Sequence, residues 1–135
     1  MRLNIIILLV SLSFTACKNS PEQKTNSAEM YEASELSETM RTMVDFSKQA
    51  KTSLAEGKHI DSIPAEIWEM AKATGTRDEH LESDFQTLAG PYFEALRGIE
   101  RGDSQSYYYR KSIDACKACH SRYCGGPMSI INKLD

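Results

Sequence analysis

Apolar residues recur at spacings of three and four over most of the chain after residue 30, and this period constrains the fold more than any other feature. In the stretch 31–56, the apolar residues on one helical face are Leu36, Met40, Met43, Ala50 and Leu54. Such spacing is typical of an amphipathic α-helix that buries one face. Gly57 follows this stretch and predicts where the helix ends.

The same period predicts three further helices. The second begins near Pro64 and fades at Thr74–Gly75, the third covers 78–101, and the fourth covers 104–124. No segment alternates apolar and polar residues for long enough to predict a strand. Because amphipathic helices joined by short links form bundles, the sequence predicts an all-α fold, an antiparallel four-helix bundle over residues 31–135.

Glycine and proline mark two points in this scheme. Gly90–Pro91 predicts a kink or a restart in the third helix, because proline has no N–H to donate and crowds the preceding turn. Gly125–Pro127 predicts that the fourth helix ends in a left-handed cap. The apolar face of that fourth helix contains Tyr109, Ile113, Cys116, His120 and Tyr123.

The fourth helix contains Cys116-Lys117-Ala118-Cys119-His120, which has the C-x-x-C-H form of covalent haem attachment. Two cysteines three residues apart lie on one side of a helix, about a turn from each other. Their thiols can add to the two vinyl groups of protoporphyrin, while the next residue projects an imidazole toward the iron. The motif predicts one haem c bound covalently by Cys116 and Cys119, with His120 as the proximal iron ligand.

Three other interpretations use the same residues. A zinc site could take Cys116, Cys119, His120 and Cys124 as ligands, although adjacent residues on one helix do not easily close a tetrahedron. A redox-active dithiol needs its first cysteine at a helix N-terminus, and this pair is deep in a helix. A disulfide between Cys116 and Cys119 would be strained inside an intact helix. With haem attached, Cys124 is left as a single thiol without an assigned role.

The N-terminal segment has the layout of a secretory signal. Arg2 supplies a positive charge, an apolar stretch runs over residues 3–14, and small residues precede Cys17. The apolar stretch is too short to cross a bilayer. Small residues before a cysteine resemble the lipobox of bacterial lipoproteins, which implies removal of residues 1–16 and acylation of Cys17. Residues 17–30 are polar and predict a flexible tether, so we expect a periplasmic domain anchored to a membrane by lipid.

The charge balance restricts the class of partner. The chain has 16 Lys and Arg residues and 19 Asp and Glu residues, a formal net charge of −3. This balance lacks the basic surplus of nucleic-acid-binding proteins, so neither DNA nor RNA is an expected partner. An acidic surface instead favours basic protein partners through electrostatic steering.

The position of C-x-x-C-H near the end of the last of four helices resembles the class II c-type cytochromes, the cytochrome c prime group. The resemblance covers about residues 31–127, with "ETMRTM" in the first helix and "CKACHSRY" in the last as its anchors. Members commonly have an aromatic residue three positions after the histidine and a basic residue next. Tyr123 fits the first position, and Cys124 replaces the second. Members often form dimers through their first two helices, which leaves a homodimer open for this chain.

Members of this group differ in what occupies the sixth coordination position of the haem iron. In the electron carriers a methionine from the first helix fills it, whereas a vacant position binds nitric oxide or carbon monoxide. Thr39-Met40-Arg41 is similar to the pattern of the methionine-ligated branch, so the resemblance implies Met40 as the distal ligand, with Met43 as the alternative. Core packing is the other interpretation of both methionines.

The resemblance implies a periplasmic, membrane-anchored monohaem cytochrome that exchanges single electrons with redox partner proteins and is not an enzyme. One alternative is a gas-binding cytochrome with a five-coordinate iron. A more distant alternative is a zinc-binding or structural lipoprotein. His59 and His80 could also ligate the iron, but both lie near helix ends and are expected at the surface.

Overall fold

The computed structural model describes residues 32–78 and 83–135. The helices in these two ranges are α1 (Glu35–Ala55), α2 (Ala65–Trp68), α3 (Ser83–Glu100), α4 (Gln105–Tyr123) and α5 (Met128–Ile131). No strand occurs within the described ranges, and the predicted all-α class is confirmed. The predictions for the signal segment, for Cys17 and its tether, and for His80 lie outside the described residues.

Helix α1 begins at a capped N-terminus and buries one face. The Ser34 hydroxyl accepts a hydrogen bond from the Ser37 N–H at 3.3 Å. Glu35 and Glu38 place negative charge in the first turn, where the helix dipole favours it. The buried residues recur at helical spacing and are Thr39, Met43, Phe46, Ser47 and Ala50. The helix ends before Gly57, whose φ of 69° is left-handed and therefore suits glycine.

After α1 the chain returns along that helix. The Gln105 side chain holds the start of the returning segment, because it accepts from the Ile60 N–H at 2.9 Å and donates to the Ile60 carbonyl at 3.0 Å. The end of the segment meets the start of α1, where the Leu36 N–H donates to the Thr74 carbonyl at 2.9 Å. The segment therefore runs antiparallel to α1.

The second helix is much shorter than the sequence predicts. Ile67 and Met70 are buried as expected, but α2 ends at Trp68 and turns follow it. The N–H groups of these turns reach back three residues, as Lys72 does to the Glu69 carbonyl at 2.8 Å. Apolar spacing predicts the buried face of such a segment, but it does not distinguish an α-helix from a series of tighter turns.

Helices α3 and α4 are antiparallel and form the most extensive helix pair. At one end the Phe85 and Tyr123 rings meet edge to face, with centroids 5.8 Å apart. Farther along, Gly98 lies so close to Tyr108 that a Cβ on the glycine would overlap the tyrosine ring. Helix α3 continues through Pro91, so the chain does not restart there. Pro91 lies on the exposed side of α3, where its ring displaces no packed side chain.

The three long helices define two ends of the domain. The starts of α1 and α3 and the end of α4 lie together, since Arg77, which follows the returning segment, donates to the Tyr123 carbonyl at 3.3 Å. We call this the motif end, because C-x-x-C-H is there. The opposite end is the Gln105 end. Helices α1 and α3 run away from the motif end, and α4 runs toward it.

The residues after α4 fold back over the domain, which the sequence does not predict. Ile131 and Leu134 are each only 4% exposed and belong to the buried cluster. The Tyr109 hydroxyl of α4 donates to the Leu134 carbonyl at 2.5 Å. Lys51 of α1 donates to the Lys133 carbonyl at 3.1 Å. The segment therefore joins α1 to α4 through both its apolar side chains and its backbone.

Helix α4 does not end as predicted. Among the described glycines only Gly57 and Gly102 have a positive φ, so the expected left-handed cap at Gly125–Gly126 is wrong. The helix ends because Cys124 is extended, with φ −153° and ψ 89°. None of the described helices is both long enough and apolar enough to span a bilayer.

Candidate functional site

Cys116 and Cys119 lie on the same helix at the motif end, and both are partly buried free thiols. Cys116 packs against the buried cluster. Burial raises the pKa of the Cys116 thiol from 9.0 to about 12, and Cys119 adds a smaller contribution. Burial also raises the pKa of Cys119, with a further contribution from the carboxylate of Asp84. Both thiols therefore stay protonated near neutral pH.

The surroundings of these thiols do not match two of the alternative chemistries. A redox-active dithiol depends on a stabilised thiolate, and the surroundings of Cys116 and Cys119 disfavour one. Zinc deprotonates the thiols that bind it, but its ligand side chains must converge on one point. In residues 32–78 and 83–135, no group of three or more His, Cys, Asp or Glu side chains is arranged to hold a metal ion. Two thiols that become uncharged thioethers fit this apolar environment better.

The His120 ring is oriented by the chain that follows it. Its Nδ1 lies 3.0 Å from the Cys124 carbonyl oxygen. A carbonyl oxygen can only accept a hydrogen bond, so Nδ1 must be the protonated nitrogen. The lone pair of the neutral imidazole is then on Nε2, as is usual for a metal-ligating histidine whose other nitrogen donates to a carbonyl. In the neutral ring, Nε2 is thus the nitrogen available to a metal.

Both candidate distal ligands lie on the inward side of α1, as predicted from the spacing. Met43 is 6% exposed and lies within the buried cluster, while Met40 is partly buried and packs against it. Met40 is one turn closer to the motif end than Met43. Helix α1 contacts α4 directly, so both methionines belong to the helix pair that includes the cysteine motif.

A polar network that the sequence did not predict fixes the end of α4 to the start of α3. The Tyr123 hydroxyl donates to the Asp84 carboxylate. Arg122 forms an ion pair with the other oxygen of Asp84 at 3.5 Å. Asp84 also raises the pKa of Cys119, so the carboxylate is electrostatically coupled to the second thiol. No pattern in the sequence pairs Asp84 with this motif, since the two lie more than thirty residues apart.

Tyr92 of α3 contributes a buried hydroxyl to the same region. Only 3% of its surface is exposed, and its hydroxyl has no hydrogen-bond partner among the described residues. Burial raises the pKa of Tyr92 well above its ordinary value, and Cys116 raises it further. The phenol is therefore a protonated donor near the first thiol. A buried donor without an acceptor is unusual in a folded protein, and an ordered water or a bound group is the usual partner of such a donor.

The residues at the motif end fit a covalently attached haem. Cys116 and Cys119 supply two uncharged thiols, His120 presents Nε2, and Tyr92 has an unused donor. Cys124 is exposed, and its carbonyl rather than its thiol contributes to the site, by orienting His120. The four-residue spacing between His120 and Cys124 is a signal that sequence reasoning could have used. His59 is exposed, as predicted.

Comparison of the chain with known protein families, with curated proteins and with solved structures gave no match.

Proposed function

We propose that this chain is a monohaem c-type cytochrome that carries single electrons, with haem attached to Cys116 and Cys119 and His120 as the proximal iron ligand. The orientation of His120 is the observation that carries this proposal, because a hydrogen bond from Nδ1 leaves Nε2 as the only nitrogen able to bind a metal. The two protonated thiols on the same helix support it.

The proposed architecture is a four-helix bundle of the class II cytochrome type. Helices α1, α3 and α4 supply three of its members, and the returning segment that contains α2 takes the place of the second. The stacked rings of Trp68 and Phe93, with centroids 6.0 Å apart, support this assignment because they pack that segment against α3. A haem held between helices is a common use of a bundle core.

Haem, when bound, supplies an iron that gains or loses one electron. The chain contributes the ligands and their surroundings. The Cys124 carbonyl holds the His120 ring in one tautomer and one orientation. Met40 is proposed to supply a thioether on the opposite side of the iron, and a thioether opposite an imidazole stabilises the ferrous state. The buried cluster against which Met40 and Cys116 pack keeps water from this region.

The proposed partners are redox proteins, and steering favours those with basic surfaces because the whole chain has a formal net charge of −3. The four Lys and Arg residues of α4 do not reverse this preference at the motif end. Arg110 and Lys111 lie in the first half of α4, toward the Gln105 end, while Lys117 and Arg122 are paired with Asp135 and Asp84. Electron transfer with a basic partner should therefore slow as ionic strength rises, because salt screens the attraction.

The location remains a proposal drawn from the N-terminal segment. Acylation of Cys17 would anchor the domain to a membrane on its periplasmic side. The test is fractionation of cells that express Cys17→Ser, which should release the protein from the membrane fraction. A variant that stays with the membrane would contradict lipid anchoring.

The haem proposal is tested by the absorption spectrum of protein expressed together with a haem-attachment system. A Soret band that survives denaturation is expected, because thioether bonds retain the haem in the unfolded chain. Cys116→Ser and Cys119→Ser should each weaken this covalent attachment, and the double variant should abolish it. Cys124→Ser is the matched control and should keep the haem. A wild-type chain without a Soret band would exclude the proposal.

The spin state of the iron tests whether Met40 is the distal ligand. A low-spin spectrum in the wild type that becomes high-spin in Met40→Ala is expected if Met40 is the distal ligand. Met43→Ala is the comparison and should remain low-spin. If the wild-type ferrous protein is high-spin and binds carbon monoxide at once, gas binding would replace electron transfer as the proposed function.

A further inference from the structure

The carboxylate of Asp84, in the first turn of α3, is held by the last turn of α4. The Tyr123 hydroxyl donates to one of its oxygens, and Arg122 forms an ion pair with the other at 3.5 Å. The Tyr123 ring also meets the ring of Phe85, the residue after Asp84, edge to face at a centroid distance of 5.8 Å. These contacts fix the carboxylate against the end of α4.

The part of α4 that holds Asp84 also contains the proposed haem ligands. Arg122 follows Cys119 by three residues. Tyr123 follows His120 by the same interval, and residues three apart in a helix share one side. Because a helical side chain leans toward the N-terminus and covers the turn before its own Cα, these two residues hold Asp84 over the turn that contains the ligands. Asp84 also interacts electrostatically with the Cys119 thiol.

We propose that Asp84 sets the reduction potential of the haem iron, because its negative charge lies over the turn that binds the haem and stabilises the ferric state. This inference rests on the proposed function. When the redox partner takes one electron, the iron centre gains one positive charge. A nearby carboxylate attracts that charge and has no equal attraction to the ferrous centre. The Arg122 guanidinium has the opposite sign and therefore acts in the opposite direction.

The charge of Asp84 can be removed without removing its contacts. Asparagine has nearly the same shape, and its side-chain oxygen can still accept from the Tyr123 hydroxyl. The ion pair with Arg122 contributes little to folding, since the side chains of Arg122 and Asp84 are 59% and 45% exposed. Asp84→Asn therefore separates an effect of charge on the iron from an effect on the fold.

The experiment measures the ferrous-to-ferric ratio of the haem-loaded protein at a fixed applied potential. Asp84→Asn should raise this ratio about threefold, the order of effect of one unit charge that acts through a partly solvated surface. Arg122→Gln should lower the ratio, because it removes the positive charge of the same pair. A pair that served only to hold the end of α4 would not give changes of opposite sign when its two members are neutralised.

Glu94→Gln is the matched control. Glu94 also lies on α3 and forms an exposed ion pair with an arginine, Arg97, at 2.6 Å. It is farther from the motif end than Asp84 by roughly 15 Å of helix. Glu94→Gln changes the net charge of the chain by the same amount, and the ratio should stay at the wild-type value. Equal changes in both variants would show that net charge alone acts and would refute the proposal.

Salt provides a second readout. The difference between the wild type and Asp84→Asn should shrink as ionic strength rises from about 0.01 M to about 1 M, because the Debye length falls from about 30 Å to about 3 Å. A substitution that acted by moving His120 would change the ratio by the same factor at both ionic strengths. That result would contradict an effect of charge through space.

The haem-free chain gives a readout that needs no cofactor. Asp84→Asn should unfold at nearly the same urea concentration as the wild type, because asparagine keeps the hydrogen bond from Tyr123. A large shift would show that the carboxylate serves the fold, and it would overturn the assignment to the iron.

The outcomes separate this inference from the proposed function. If the wild type attaches haem but Asp84→Asn leaves the ratio unchanged or lowers it, the role of Asp84 is refuted while the cytochrome proposal stands. If the wild type attaches no haem, both proposals fail. A higher ratio in Asp84→Asn, a lower one in Arg122→Gln and a dependence on salt would together support both.

Discussion

The two ends of the domain satisfy their buried polar groups in different ways. At the Gln105 end, the amide of Gln105 makes three hydrogen bonds to backbone groups of Ile60 and Ile99, at 2.9 to 3.0 Å. At the motif end, Tyr92 has a buried hydroxyl without a partner and Cys116 has a buried thiol. Among the described residues, the Gln105 end is complete, whereas the motif end leaves the Tyr92 hydroxyl unpaired. This difference supports the proposal of a ligand at the motif end.

The largest expected effect comes from removing the three hydrogen bonds of the Gln105 amide. Gln105→Leu should lower the free energy of unfolding by about 3 kcal/mol, because it leaves the Ile60 N–H and the Ile60 carbonyl without partners. It also removes one of the two hydrogen bonds of the Ile99 carbonyl, which still accepts from the Gly102 N–H at 3.0 Å. Urea unfolding followed by circular dichroism measures this. Haem content per folded molecule and the absorption spectrum should not change. A change in the spectrum would mean that the two ends are coupled.

A smaller loss is expected where α3 and α4 approach most closely. Gly98→Ala should cost about 2 kcal/mol, because its Cβ would overlap the Tyr108 ring and force the helices or the ring to move. Gly90→Ala on the same helix is the matched control. Apart from its chain neighbours and its own helix, nothing lies within 4 Å of a Cβ at Gly90. The gain from a less flexible unfolded chain is offset by crowding between that Cβ and Pro91, so the change should shift the free energy of unfolding by less than about 0.5 kcal/mol. Equal effects at both positions would contradict the close packing at Gly98.

Alkaline pH should weaken the motif end of the haem-free chain. The folded state holds the Cys116 proton more tightly than the unfolded chain, so the stabilisation is complete below pH 9 and is lost as the pH rises toward 12. For Cys116 alone, the free energy of unfolding should fall by up to about 1.4 kcal/mol for each pH unit between about 9 and 12. The raised pKa values of Cys119, Tyr92 and Tyr109 add to this loss.

Two variants isolate the contribution of this thiol. Cys116→Ser should remove the contribution of Cys116 to the fall of the free energy of unfolding with pH. Cys124→Ser alters an exposed residue and should leave that contribution unchanged. Haem attachment should also remove the contribution of Cys116, since a thioether has no proton to lose. Urea unfolding at a series of pH values gives the slopes. Identical slopes for the wild type and Cys116→Ser would contradict the buried thiol.

The smallest effect is expected at the surface of the motif end. Asp84→Ala should lower the free energy of unfolding by about 1 kcal/mol, because its ion pair with Arg122 is exposed to solvent and contributes little, while its hydrogen bond from Tyr123 is partly buried. Removal of the carboxylate should also lower the pKa of Cys119 and speed its alkylation in the haem-free chain. Iodoacetamide labelling in a Cys124→Ser background, read by mass spectrometry, measures this rate. An unchanged rate would show that Asp84 does not influence the thiol.

The sequence predicted the buried faces of the helices well, because burial repeats with the period of the helix. Met43, Ala50, Tyr109 and Ile113 all follow that rule and all are buried. Periodicity fails for short elements, which is why α2 was expected to be longer and α5 was not expected. Four residues of helix after a turn do not complete a repeat long enough to recognise.

Long-range polar contacts were not predictable from the sequence. Nothing local to Gln105 specifies that its amide will meet Ile60, forty-five residues away. The pairing of Tyr123 with Asp84 has the same character. The motif residues Cys116, Cys119 and His120 could be recognised because their chemistry requires a fixed local spacing. The unpaired hydroxyl of Tyr92 could be found only after the positions of its neighbours were known.

The burial of Cys116 also has a consequence for assembly. Under the proposed function, we expect the first thioether to form while α4 is still accessible, because a partly buried, protonated thiol reacts slowly with a vinyl group. The segment that ends in Ile131 and Leu134 joins α1 to α4, so we expect it to pack after attachment. Under the proposed function, maturation therefore has a fixed order: the cofactor is attached to an open chain, and closure of the last residues over the helices marks the completed protein.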